Sequence, residues 1–122
     1  MAFVKTSVEK AVGTITLDHP QKHNALSTAL IADLLEALSG MSASGARVIV
    51  LRAARGSKVW SAGHDVTELP TTGRDPLTYN DPLRRVVRAI QELPIPVIAM
   101  VEGSVWGGAC EVVMSCDVVL AA

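Results

Sequence analysis

Three features of the 122-residue sequence predict an α/β fold. Two short apolar runs, "RVIVLRA" and "PVIAMV", have the unbroken character of strands covered on both faces. Other stretches carry apolar residues at the 3.6-residue spacing of a helix with one buried side. Each apolar run also leads into a loop of small residues, and ligands of parallel sheets bind at such loops. Strands alternating with helices imply a largely parallel sheet with right-handed crossovers.

The elements follow in order. Phe3 to Val8 and Val12 to Asp18 read as two strands joined near Glu9 and Lys10, and "VGTITLD" alternates as a half-buried strand does. "HPQKHNAL" is a loop, because Pro20 breaks any helix. Ser27 caps a helix whose apolar residues are Leu30, Ile31, Leu34, Leu35 and Leu38, and Gly40 to Gly45 ends it. The strand Arg47 to Ala53 comes next, followed by a long loop. Asp81 and Pro82 are an N-cap and a first helical residue. Leu83, Val86, Val87 and Ile90 then face the core, while Arg84, Arg85 and Arg88 take the solvent side. A strand restarts at Pro96, a short helix begins after Gly107 and Gly108, and "DVVLAA" is the last strand. That strand reads as buried yet has no following cover, so the chain is expected to be the N-terminal portion of a longer domain.

Composition narrows the function. Residues 1–122 fall in the single-domain range, and 49% of them are hydrophobic, enough for a sizeable core. A formal net charge of -1 and 3% aromatics disfavour nucleic acid and anionic membrane as partners. No apolar run reaches the ~18 residues of a membrane span, and "MAFVKTSVEK" lacks a signal-peptide core. Two cysteines are too few for a disulfide scaffold, so reduced thiols in the cytoplasm are expected. No repeat, linker or low-complexity tract interrupts the sequence.

The stretch "VWSAGHDVTEL" (59–69) admits four readings. A nucleophile elbow, G-x-S-x-G, fails because Val59 stands where its first glycine belongs. A metal site fails because Pro20 forbids the helix that would align His19 with His23, and Cys110 and Cys116 have the wrong spacing. A nucleotide loop is weakly supported, since "EGSVWGGAC" is neither G-x-G-x-x-G nor a P-loop. The fourth reading is a pair of backbone donors, one from each of the loops Ser61–His64 and Trp106–Ala109. A helix starting at Gly108 would point free N–H groups at an anion, and two such donors would stabilise a thioester enolate. Close helix–strand packing explains the same small residues, and spacing alone leaves both open.

"SAGHDVTEL" followed by "VEGSVWGGACEVVMSCDVVLAA", with "QKHNALS" before the first helix, resembles the crotonase (enoyl-CoA hydratase/isomerase) superfamily along the whole chain. Within it, His64 where many hydratases carry alanine, the insert "GRDPLTYNDPLR", and "GSVWGG" resemble the members that decarboxylate methylmalonyl-CoA. The resemblance implies a crotonase-like superhelix of ββα turns and an acyl-CoA-binding domain over residues 1–122. It also implies trimers that pair into hexamers, and acyl-CoA thioesters as substrates. Coenzyme A then belongs to the substrate, and no separate cofactor or metal is needed.

Carried over, the resemblance assigns the oxyanion hole to the N–H groups of His64 and Gly108. Ala62, Gly63, His64, Asp65 and Val66 are then expected along the pantetheine and adenine. Lys22, His23, Asn24, Ala25 and Leu26 would enclose the nucleotide end, with Lys22 able to meet a phosphate. Trp106 and Gly107 belong to the acyl side, and Trp60 and Trp106 wall the pocket or the core. Glu111 matches the first catalytic glutamate of the hydratases, although a first-turn glutamate also stabilises a helix N-terminus. The implied reaction is decarboxylation of methylmalonyl-CoA to propionyl-CoA. Enoyl-CoA hydration or isomerisation, and acyl-CoA binding without catalysis, are the alternatives.

Overall fold

The structure, a computed structural model, describes residues 1–68 and 81–122. Its elements run as three successive ββα units and a final strand. The first unit is β1 (Val4–Glu9), β2 (Val12–Leu17) and α1 (Thr28–Ala43). The second is β3 (Val48–Ala53), β4 (Val59–Ser61) and α2 (Pro82–Glu92), and the third is β5 (Val97–Val101), β6 (Ser104–Val105) and α3 (Gly108–Ser115). β7 (Val118–Ala121) follows.

Both strands of the first unit and the first strands of the later units lie in one sheet. The main sheet has the order β1-β2-β3-β5-β7, with β1 antiparallel to β2 and every other pair parallel. The second strands of the later units, β4 and β6, pair in parallel in a separate two-stranded sheet. The long loop expected after Ala53 therefore contains a strand. At three and two residues, β4 and β6 are too short to show alternation in a sequence.

Alternation on β2 buries Gly13, Ile15 and Leu17, as its pattern predicts. β3 buries Ile49, Leu51 and Ala53, and its other face is half-buried rather than covered. Ser27 accepts a hydrogen bond from the N–H of Leu30, and Asp81 from that of Leu83, so both expected N-caps form. Helix α1 runs past Gly40 to Ala43, and this extra turn buries Met41 against β2, over Gly13. On α2, Leu83, Val86 and Ile90 are buried, Arg85 is exposed, and Val87, Arg84 and Arg88 are half-buried. One continuous core joins the sheet to α1, α2 and α3. All four residues of β7, an apolar run, are exposed among the described residues, as expected of a strand without following cover.

The β1–β2 hairpin turns through Lys10 and Ala11, both in the left-handed region at φ 50° and 65°. A two-residue turn of this hand favours glycine at its second position. Replacing Ala11 with glycine is expected to stabilise the fold by about 0.5–1 kcal/mol, read as a higher midpoint in urea.

Candidate functional site

The site is built where the chain after β4 meets the chain after β6. Gly63 has φ +88°, and a Cβ there would run into the carbonyl oxygen of Trp106 and come within 3.2 Å of Gly108 N. The two main chains thus touch through a position that admits no side chain. Gly107, at φ 51° and ψ -127°, turns the backbone into α3, and Gly108 is the first helical residue. His64 N lies 3.8 Å from the place a Cβ of Gly108 would occupy. The amide groups of His64 and Gly108 are therefore neighbours. Neither donates to an acceptor among the described residues.

A second segment braces this arrangement. The loop from His19 to Leu26 lies against the segment Trp60–His64, with Ala62 N–H donating to His23 O and Leu26 N–H donating to Gly63 O. Asn24 is buried, its amide group donating to Trp60 O at 3.0 Å and its side-chain oxygen accepting from His19 N–H at 2.8 Å. Buried Ser61 donates to Asn24 O and accepts from Gly63 N–H. The N–H of Trp106 donates to Ser61 O, and the Trp60 indole donates to Met100 O. Buried polar groups this fully paired hold a backbone rigidly.

Asp65 is the charged member of the loop. Its carboxylate accepts from the Thr67 hydroxyl at 2.7 Å and the Thr67 N–H at 3.0 Å, and lies 3.9 Å from Lys22 Nζ. The Thr67 bonds, chiefly the hydroxyl, hold its pKa below the ordinary carboxylate value, with Lys22 and His64 assisting. Val66–Glu68 form one turn of 3-10 helix, and Glu68 accepts from the N–H and hydroxyl of Thr28 at the start of α1.

The His64 ring is half-buried, with Nδ1 3.4 Å from the Asp65 carbonyl oxygen and Nε2 3.6 Å from Asp81 Oδ1. Glu111, in the first turn of α3, is exposed. Trp60 lies in the core, whereas Trp106 is 60% exposed beside the site. Cys110 is exposed; Cys116 is half-buried, and burial pushes its thiol up to about 11, with the Asp117 charge adding to the effect.

The two sequence blocks and the "QKHNALS" loop, widely separated in the chain, are thus brought together. Ala25 and Leu26 are buried, and Asn24 spends its side chain inside the protein, so these three shape the loop from within. His23 and Asn24 line a surface cavity of about 400 Å³ with Pro20, Ser57, Lys58 and Val59. Lys58, on this cavity, was not among the residues singled out from the sequence. The "GRDPLTYN" part of the insert, in 73–80, lies outside the described residues. Among the described residues no group of three His, Cys, Asp or Glu is placed to hold a metal, and no helix is long and apolar enough to cross a membrane.

Comparison with known proteins places this geometry. Residues 7–122 match the enoyl-CoA hydratase/isomerase family. The chain belongs to that family. It is 52% identical over 120 residues to methylmalonyl-CoA decarboxylase of Escherichia coli (strain K12), a match covering 98% of this chain and 46% of the relative. It is 36% identical over 119 residues to the mitochondrial enoyl-CoA hydratase domain-containing protein 3 of Danio rerio, covering 95% of this chain and 40% of that one. Among solved structures, methylmalonyl-CoA decarboxylase complexed with 2S-carboxypropyl-CoA superposes with a TM-score of 0.95 at 51% identity, over 99% of this chain and 46% of that one. The same enzyme with 2-nitronate-propionyl-CoA gives a TM-score of 0.94 at 52% identity, over 98% and 46% of the two chains. The three ββα units are thus those of the crotonase fold, and the chain spans under half the length of these relatives.

Two outcomes test the local geometry. Gly63→Ala is expected to destabilise the protein by more than the ~1–2 kcal/mol of its backbone conformation alone, because the new methyl meets Trp106 O; thermal melting measures it. Thr67→Val removes the main hydrogen bond to ionised Asp65. A depressed carboxylate pKa stabilises the fold above the ordinary value of 3.8, and that contribution is lost as pH falls through the native pKa. Parent and variant should therefore differ most at neutral pH and converge in acid, as followed by denaturation at several pH values.

Proposed function

We propose that the protein stabilises a thioester enolate and decarboxylates methylmalonyl-CoA to propionyl-CoA. The observation that carries this reading is the pair of neighbouring amide groups at His64 and Gly108, supplied by separate loops and without an acceptor among the described residues. Identity of 52% to a methylmalonyl-CoA decarboxylase supports the choice of substrate, as does the superposition on its complexes with two acyl-CoA analogues.

The chemistry then follows from the geometry. The thioester oxygen sits between the two N–H groups, at the positive end of α3. The bond to the carboxylate breaks, carbon dioxide leaves, and its electron pair moves into the thioester to give an enolate. Charge gathers on the oxygen only as that bond breaks, so fixed donors favour the transition state over bound substrate. Protonation of the enolate carbon completes propionyl-CoA. Decarboxylation requires no general base.

Glu111 would act as a hydratase carboxylate only if water were the nucleophile. Ionised and turned toward a malonyl-type substrate, it would repel the substrate carboxylate. We assign it to the N-terminal turn of α3. His23, Ala62, Gly63, Asp65 and Val66 are proposed to follow the CoA chain, with Lys22 near its phosphates. Trp106 and Gly107 would border the acyl group. Assembly into trimers or hexamers is proposed on the family resemblance alone. The two unpaired cysteines suit a reducing cytoplasm.

Mass spectrometry of methylmalonyl-CoA and crotonyl-CoA, each incubated with the protein, tests the reaction. Carbon dioxide loss from the first without water addition to the second is expected. Water addition alone would overturn the decarboxylase and return Glu111 to catalysis. Gly108→Pro removes one donor N–H and is expected to lower kcat by about 10²–10³-fold. His64→Ala keeps its N–H and should retain measurable turnover. A Gly108→Ala control keeps the N–H while placing a methyl against Leu83, and should lose far less than the proline variant.

A further inference from the structure

We propose that Asp81 is the positioning residue of the two-amide site, holding the His64 ring and with it the His64 N–H. This inference rests on the oxyanion reading above. Asp81 caps α2, its Oδ1 accepting from Leu83 N–H at 2.9 Å, and the same oxygen faces His64 Nε2 at 3.6 Å. Both side chains are largely enclosed, at 13% and 18% exposure. His64 Nε2 is buried and has no hydrogen-bond partner among the described residues, and Asp81 Oδ1 is the acceptor that faces it.

The ring chemistry supports the pairing. Nδ1 faces a carbonyl oxygen and Nε2 faces a carboxylate, and both are acceptors. A neutral imidazole has one N–H and can serve only one of them. The carboxylate is the stronger acceptor, so the proton belongs on Nε2. Among the described residues, the charged groups near the ring are Asp81 at the start of α2, Asp65 from its own loop, and Lys22 beyond Asp65. The same turn of α2 also reaches the other donor, since Leu83 packs directly over Gly108. The start of α2 therefore reaches both residues of the pair: Asp81 faces the His64 ring, and Leu83 packs against Gly108.

Two variants separate positioning from capping. Asp81→Ser keeps a good N-cap but no longer reaches His64, and Asp81→Asn keeps an acceptor oxygen without the charge. In the longest natural form that carries this chain, Asp81→Ser is expected to lower kcat about tenfold, with KM and Tm little changed, and Asp81→Asn to restore most of it. Nitrogen-15 NMR of the ring, which needs no turnover, should show the proton on Nε2 in the parent and moved to Nδ1 in Asp81→Ser. An unchanged ring spectrum would overturn the contact, and unchanged kcat with an altered ring would overturn the positioning role. A parent that leaves methylmalonyl-CoA intact yet shows the ring shift would uphold the contact and refute the decarboxylase instead.

Discussion

The close approach of Gly63 to the backbone of Trp106 and Gly108 is the constraint on which the site depends. A side chain at residue 63 would push the two loops apart, and with them the amides of His64 and Gly108. The approach is held from below by the parallel pairing of β4 with β6 and by the Trp106 N–H bond to Ser61 O. It is held from the side by the His19–Leu26 loop, whose buried Asn24 ties Trp60 O to His19 N–H. These are main-chain contacts and short buried side chains, which relax little under load. Donors fixed before substrate arrives cost no reorganisation when charge develops, and this is the condition for strong electrostatic stabilisation.

The three ββα units explain why such a site falls where it does. In the second and third units the first strand joins the main sheet in parallel and the second strand leaves it to form the small sheet. The chain emerging from β4 and the chain emerging from β6 are therefore equivalent points on neighbouring turns. Each supplies one amide. Helix α2, lying between them in sequence, packs on α3 and on α1. Its first turn faces the site with Asp81 and Leu83.

Much of this was legible in the sequence, for physical reasons that can be named. Ser27 and Asp81 marked helix starts because a short polar side chain satisfies the first free N–H groups. The apolar spacing of Leu30, Ile31, Leu34 and Leu38 marked the buried side of α1. The two small-residue loops marked the place where two backbones come close. Less visible were β4 and β6, whose pairing joins residues far apart in sequence. Nor does the sequence repeat where the structure does, because the units share strand placement rather than residues. Asn24 and Ser61 read as loop residues, and only the fold shows their side chains turned inward to hold the main chain. Asp81 was recognised as a cap; that its carboxylate also faces His64 depends on tertiary packing.

Infrared difference spectroscopy of bound propionyl-CoA, labelled with carbon-13 at the thioester carbonyl, reports directly on the oxygen between the two amides. The hydrogen bonds proposed from His64 and Gly108 would polarise that carbonyl, so its stretch is expected to fall well below the value in water. A carbonyl stretch at or above the free value would show that the two N–H groups do not converge on the thioester, and the enolate mechanism built on them would be wrong.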